Sequence, residues 1–206
     1  MATHLALSPP VEALREQFDR LSAEADALAA GLDDDRFNWR PPTGSWSMAQ
    51  CLEHLNVTAR VYLPRLDEGI AEGIRRGLYG QGPFSYNWIG RLFVSWNEPP
   101  PRFRVKAPTA FLPAADRRRQ DVLAAFRAYQ QQYIDRLRQA SGLDLARARV
   151  RSPVAAWIRM PLGSGFALMI AHERRHLWQA RHVLAHPDFP RERRDATPGG
   201  GLGEPS

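Results

Sequence analysis

The stretch Ala171–Val183, AHERRHLWQARHV, holds three of the six histidines in this chain of 206 residues. Residues four apart lie on one side of an α-helix, so His172 and His176 would present their imidazoles in the same direction. That is the spacing at which a single helix offers two nitrogen ligands to one metal ion. Through Glu173 the same letters also read H-E-x-x-H, the pattern of zinc proteases. The stretch therefore predicts a helix with a candidate metal site, and the rest of the chain must supply the context.

The phase of this helix separates its polar residues. At about 100° per residue, His172, His176 and Gln179 share one sector, which is the apolar, core-facing stripe. Glu173 lies about 100° from His172, at the edge of the stripe, and we expect it to form a surface salt bridge with an arginine. His182 is about 80° from His172 and is left out of the candidate site. The zinc-protease interpretation is weakened, because its glutamate would point away from the histidines.

A third histidine is predicted to face the same core. His54 lies on one face of an upstream helix with Cys51, Leu55 and Tyr62, so its side chain should point inward. Two or three buried imidazoles are costly unless they are paired, either with carbonyl groups or with a metal ion. A set of three histidines from two helices leaves coordination positions open for water or substrate. Cys51 shares the core side, so we expect a buried structural thiol and not a nucleophile.

Hydrophobic periodicity predicts four long helices. They cover about residues 8–31, 47–70, 116–140 and 164–185. Ser8 is a candidate N-cap of the first, and Ser47 with Gln50 matches the capping-box pattern at the start of the second. Pro64 is expected to kink the second helix or to end its first part. No convincing strands appear, so the predicted fold is an all-α four-helix bundle.

A long connection over residues 77–113 separates the second and third predicted helices and implies a crossover. Glycine and proline dominate its edges, and its middle, Tyr86 to Trp96, is compatible with a short helix. Connections of this length often serve as lids or binding loops. We name Tyr86, Trp88 and Arg91 as candidate substrate contacts, with the alternative that the aromatic residues here only cover one end of the bundle.

Composition sets the remaining expectations. The chain is 44% hydrophobic and carries a formal net charge of +6, with one cysteine. We expect one domain over 1–188 and a disordered polar tail over 189–206. No apolar run approaches the roughly 18–20 residues that span a bilayer, and no signal-peptide pattern is visible, which favours a cytoplasmic protein without membrane contact. The arginines are interspersed with acids, so nucleic acid is not the expected partner.

Two motifs together resemble the DinB/YfiT-like superfamily of four-helix-bundle metalloproteins. The first is NWRPPTGSWSMAQCLEHL over 38–55, and the second is HERRHLWQ over 172–179. The resemblance spans about residues 8–186 and implies a four-helix fold with a long crossover. It also implies homodimers, and a divalent metal bound by His54, His172 and His176.

The resemblance further implies the metal and the residues around it. Nickel or zinc is the expected ion, with iron and manganese as alternatives. Gln50 and Gln179 are placed beside the site, lining it or supporting its ligands. Gln50 stands where the family often carries a glutamate, so it can complete the helix cap but offers no carboxylate to the site.

The function implied by the resemblance is a metal-dependent enzyme of thiol S-transferase type, acting on a small molecule. The cofactor would be a thiol such as bacillithiol, mycothiol or glutathione, whose pKa falls when a metal ion binds it. One alternative is a hydrolase in which the ion activates water. Another is a non-catalytic metal- or ligand-binding protein of the stress response. The sequence assigns no catalytic residue.

Overall fold

Six helices and one small sheet form in residues 7–85, 88–100, 107–155 and 157–190, which the computed structural model describes. The helices are α1 (Pro9–Ala29), α2 (Asp34–Asn38), α3 (Met48–Arg75), α4 (Trp88–Asn97), α5 (Arg119–Gln139) and α6 (Leu162–Leu184). Strands β1 (Arg149–Arg151) and β2 (Arg159–Pro161) pair antiparallel, and a 3₁₀ turn covers Thr109–Phe111. The predicted all-α bundle is confirmed: the four long helices are present, and the chain reaches α5 from α3 by a long crossover.

The four long helices form a ring in the order α1, α5, α3, α6, in which each packs against its two neighbours. Apolar side chains at helical spacing meet along the axis of the ring. Phe18 of α1 and Tyr133 of α5, both buried, stack at a centroid distance of 4.8 Å. In the described residues, no helix is long and apolar enough to cross a bilayer. The consequence for the site is that α3 and α6 are direct neighbours and can share ligands.

The helix ends agree only partly with the sequence signals. The capping box at α3 is confirmed. The backbone N–H of Gln50 donates to the Ser47 hydroxyl at 3.1 Å, and the backbone N–H of Ser47 donates to the side-chain oxygen of Gln50 at 3.1 Å. Ser8 occupies the predicted N-cap position of α1, but its side chain accepts no hydrogen bond from the helix. Pro64 does not end α3, which continues without a break to Arg75.

Two elements lay outside the four-helix prediction. Helix α2 is a single short turn that Asp33 caps by accepting from the Arg36 amide at 2.8 Å. The hairpin of β1 and β2 packs on α3, where Gly69 is required, since a Cβ there would lie 2.7 Å from the carbonyl oxygen of Arg149. The hairpin leads straight into α6 at Leu162, two residues before the predicted start.

The C-terminal region keeps some structure beyond the predicted domain end. Phe189 packs edge-on against Trp39 at a centroid distance of 5.4 Å, and it lies against the core. The rest of the predicted tail, 191–206, lies outside the described residues, as do 1–6 at the other end.

The two serines at N-cap positions allow a matched test of the fold. Ser47→Ala removes the acceptor for the Gln50 amide and should lower the free energy of unfolding by about 1 kcal/mol. Ser8→Ala removes a hydroxyl that caps nothing and should change it by less than about 0.5 kcal/mol. Urea unfolding followed by circular dichroism measures both. Equal effects of the two substitutions would contradict the assignment of the caps.

Candidate metal centre

Three histidines from two neighbouring helices converge at one point of the bundle. His54 comes from α3, and His172 and His176 come from α6 one turn apart. One nitrogen from each ring lies within 4.8 Å of the other two, so the group can hold a metal ion. His54 and His176 are buried and His172 is partly buried. The inward direction predicted for all three rings is what the structure has.

In two of the three histidines, hydrogen bonds determine which ring nitrogen carries the proton. The Nδ1 of His54 lies 2.6 Å from the carbonyl oxygen of Phe111, which can only accept, so Nδ1 is the donor. The Nδ1 of His172 lies 3.2 Å from the Oδ1 of Asn97. Asn97 is oriented by its own Nδ2, which donates to the Phe93 carbonyl at 3.0 Å, so its oxygen must accept from His172. In the neutral rings, both Nε2 atoms therefore carry lone pairs.

Those two lone pairs face each other. The Nε2 atoms of His54 and His172 are 3.1 Å apart, and neither has a hydrogen to donate while the rings are neutral. Two ligand nitrogens about 2.0–2.1 Å from one ion, at angles near 90–110°, stand about 2.9–3.4 Å apart. The separation fits a shared cation. His176 adds a buried Nδ1 for which the described residues supply no hydrogen-bond partner.

Burial keeps the three rings neutral. It lowers the pKa of His172 to about 3, helped by His54 and by the cationic Arg175. The pKa of His176 is well below its usual value, chiefly through burial, while the Gln179 side chain acts in the opposite direction. Burial also lowers the pKa of His54, although its bond to Phe111 works against that shift. Neutral imidazole is the form that binds a metal, so no proton has to leave first.

An indole ring closes one side of the site. Trp46, the residue before the cap of α3, lies 4.9 Å from the ring of His54 and 5.8 Å from that of His176, measured between centroids. The capping box sets where α3 begins and therefore where this ring is placed. The indole therefore lies against both imidazoles.

The prediction that Glu173 forms a surface salt bridge with an arginine is wrong. Its side chain is buried, 4% exposed, and accepts a hydrogen bond from Gln130 of α5 at 2.9 Å. Burial raises the pKa of this carboxyl to about 8. The sequence prediction centres the buried face of α6 near His172. In the structure this face also includes Leu177 and Ala180, and Glu173 lies in its middle. His172 lies instead at the edge that faces α4.

The other predicted residues fall in different places. Gln50 is buried in the cap of α3, and Gln179 is close to His176. Arg91 is exposed on α4, Tyr86 lies outside the described residues, and of Trp88 only the backbone is described. His182, which the sequence leaves out of the candidate site, is exposed and lies against Trp178.

Sequence reasoning missed two partners of the histidines, Asn97 and Phe111. Both belong to the long connection between α3 and α5, one at the end of α4 and one in the 3₁₀ turn. A backbone carbonyl has no sequence signature, and an asparagine at a helix end usually suggests a cap. Only the folded path of the connection brings them to the rings.

Comparison with known proteins identifies the family of this chain. A family model described as DinB superfamily matches residues 17–180, most of the chain. The chain belongs to the DinB superfamily. No curated protein and no solved structure gives a significant match. The matched range of the DinB model includes His54, His172 and His176, so the cluster lies within the family's domain.

Asn97 offers a test of the candidate metal site of this DinB protein, because it contacts a proposed ligand and is not one itself. Asn97→Ala removes the acceptor that orients His172 and should lower the affinity for a divalent metal roughly tenfold or more. Asn97→Asp keeps an acceptor and should retain most of the affinity. Competition with a chelating indicator measures the dissociation constants.

Ser95→Ala on the same helix serves as the control, since the exposed Ser95 hydroxyl donates to the Leu92 carbonyl and, among the described residues, contacts no histidine. An affinity that survives Asn97→Ala unchanged would show that α4 does not support the ligand.

Proposed function

We propose that His54, His172 and His176 bind a divalent metal ion, and that the protein is a metal-dependent enzyme of thiol S-transferase type. The proposal rests on one observation above the others: two histidine Nε2 atoms with lone pairs meet at 3.1 Å, their protons held on the opposite nitrogens. Neutral nitrogen ligands of this kind suit nickel or zinc, with iron and manganese as alternatives. When bound, such an ion lowers the pKa of a coordinated thiol, so that thiolate forms at neutral pH.

The residues of this chain support a thiol cofactor over a protein nucleophile. Cys51, the only cysteine, is 1% exposed, and burial raises the pKa of its thiol to about 12. A thiolate at neutral pH must then come from a small molecule, and bacillithiol, mycothiol and glutathione are the candidate classes. The role of the protein is to hold the histidines through Phe111 and Asn97 and to shield them with Trp46.

The hydrolase alternative loses its general base. Among the described residues, the candidate ligand cluster contains no carboxylate. Glu173, the glutamate of the H-E-x-x-H pattern, points to Gln130 instead. Water activation would have to proceed without it. A non-catalytic metal-binding role is the second alternative, and the homodimer and the cytoplasmic location stay predictions.

Metal content tests the ligand assignment. The protein as purified, or after reconstitution with nickel or zinc, should contain close to one ion per chain. His172→Ala should lose most of it, because two nitrogens hold a divalent ion much more weakly than three. His182→Ala, an exposed histidine on the same helix, should keep it. Elemental analysis gives both results, and retention by His172→Ala would overturn the ligand set.

Thiol dependence tests the reaction class. The metal-loaded protein is assayed with bacillithiol, mycothiol or glutathione and an aryl chloride, where a carbon–sulfur bond forms as chloride and the thiol proton leave. We expect turnover with at least one thiol, lost after chelation and in His172→Ala. Ester cleavage that needs the metal but no thiol would favour the hydrolase. No turnover in either assay, with the metal in place, would favour the non-catalytic role.

A further inference from the structure

The antiparallel hairpin of β1 and β2 has one buried face and one charged face. Arg151 lies directly opposite Arg159 in the ladder, and Val150 lies opposite Met160. Val150 and Met160 are buried in the core, whereas Arg149, Arg151 and Arg159 are exposed. Because side chains alternate between the two faces of a strand, the three arginines share the outer face of the hairpin.

The fold does not neutralise the charges on this outer face. Like charges directly opposite each other destabilise a sheet, and Arg151 and Arg159 form such a pair. Within the described part of the chain, none of the three hairpin arginines forms an ion pair with a carboxylate. The pKa of Glu72 on α3 is lowered chiefly by its hydrogen bond to Arg75, with a smaller effect from the charge of Arg151. Since Glu72 already pairs with Arg75, the hairpin keeps a net positive charge.

The loop that closes the hairpin carries apolar side chains into solvent. The backbone N–H of Ser152 donates to the carbonyl oxygen of Ile158 at 2.9 Å, which marks the last bond before the loop. Between these two residues, Val154 is 66% exposed and Trp157 is 84% exposed. Of the large apolar side chains that the structure describes, the Trp157 indole is the most exposed. The hairpin therefore ends in an apolar tip, with the three arginines set behind it on the ladder.

This order of groups fits the surface of an anionic bilayer. An indole is favoured at the depth of the lipid headgroups, and the arginines behind it would then meet the phosphates. A guanidinium suits that contact, because its planar donors match a phosphate in a bidentate arrangement. Single-stranded nucleic acid is bound differently, in a charged groove whose aromatic rings stack on successive bases. One indole on the tip of a loop offers no such groove.

We propose that the β1–β2 hairpin binds the surface of an anionic bilayer, with Val154 and Trp157 at the level of the headgroups and Arg149, Arg151 and Arg159 on the lipid phosphates. The inference goes beyond the proposed function and does not depend on the metal site. The sequence expectation of no membrane contact concerns spanning segments and signal peptides, and neither is needed for adsorption to a surface.

Co-sedimentation of the full-length protein with vesicles tests this surface. One set of vesicles contains phosphatidylcholine alone, and the other also contains phosphatidylglycerol, which adds negative charge. The natural protein should bind the anionic vesicles roughly tenfold more tightly or better, and added salt should weaken that binding. Trp157→Ala should weaken it roughly tenfold. Arg151→Gln combined with Arg159→Gln should weaken it roughly 25-fold, about fivefold for each arginine.

Matched controls make the same changes on other surfaces. Arg20→Gln combined with Arg118→Gln removes two exposed charges from α1 and from the start of α5. Leu112→Ala removes a side chain that is 51% exposed outside the hairpin. Both controls should keep the affinity for anionic vesicles. Chelation should leave the binding of the natural protein unchanged, which separates this test from that of the metal site.

Several results would overturn the proposal. The natural protein could bind neither kind of vesicle, or the hairpin variants could bind as tightly as the natural protein. The charge control could weaken binding as much as the loss of Arg151 and Arg159. A fluorescent single-stranded oligonucleotide could bind through the hairpin while vesicles do not. Circular dichroism of each variant checks that the exposed substitutions leave the fold intact.

Discussion

Two imidazole nitrogens with lone pairs, held 3.1 Å apart inside a helix bundle, are the constraint on which the rest of the structure depends. Such an arrangement is unfavourable unless a positive charge lies between the nitrogens. The protein keeps it by holding the protons on the outer nitrogens of His54 and His172. Burial then prevents protonation from relieving the conflict, because it lowers the pKa of all three rings. The site is thus built in the form that a cation completes.

The long connection between α3 and α5 does more than join two helices. Helix α4, which belongs to this connection, packs on α6. At the C-terminal end of α4, Asn97 hydrogen bonds His172 and Glu98 forms an ion pair with Arg174. Its 3₁₀ turn brings the Phe111 carbonyl to His54. Since the partners of His54 and His172 both come from this segment, the geometry of the site depends on where the crossover lies.

The carboxyl of Glu173 shows how the bundle accommodates a buried acid. Helices α5 and α6 lie diagonally across the ring, and the hydrogen bond from Gln130 to Glu173 joins them through its centre. Burial raises the pKa of Glu173 to about 8, so the carboxyl largely keeps its proton at neutral pH and the cost of a buried charge is avoided. The sequence therefore matches the H-E-x-x-H pattern without its function, since the glutamate is hydrogen-bonded within the core and does not face the three histidines.

The sequence by itself determined the helix bundle, the capping box at Ser47 and the inward direction of the three histidines. Each follows from local rules: 3.6-residue periodicity, cap chemistry, and the one-turn spacing of His172 and His176. The hydrogen-bond partners of the ligands and the burial of Glu173 were decided only by the tertiary structure. Periodicity places residues on a helix face, but how much of that face is buried depends on how many neighbours pack against it. Helix α6 is contacted by α1, α3 and α4, which makes its buried arc wider than one stripe.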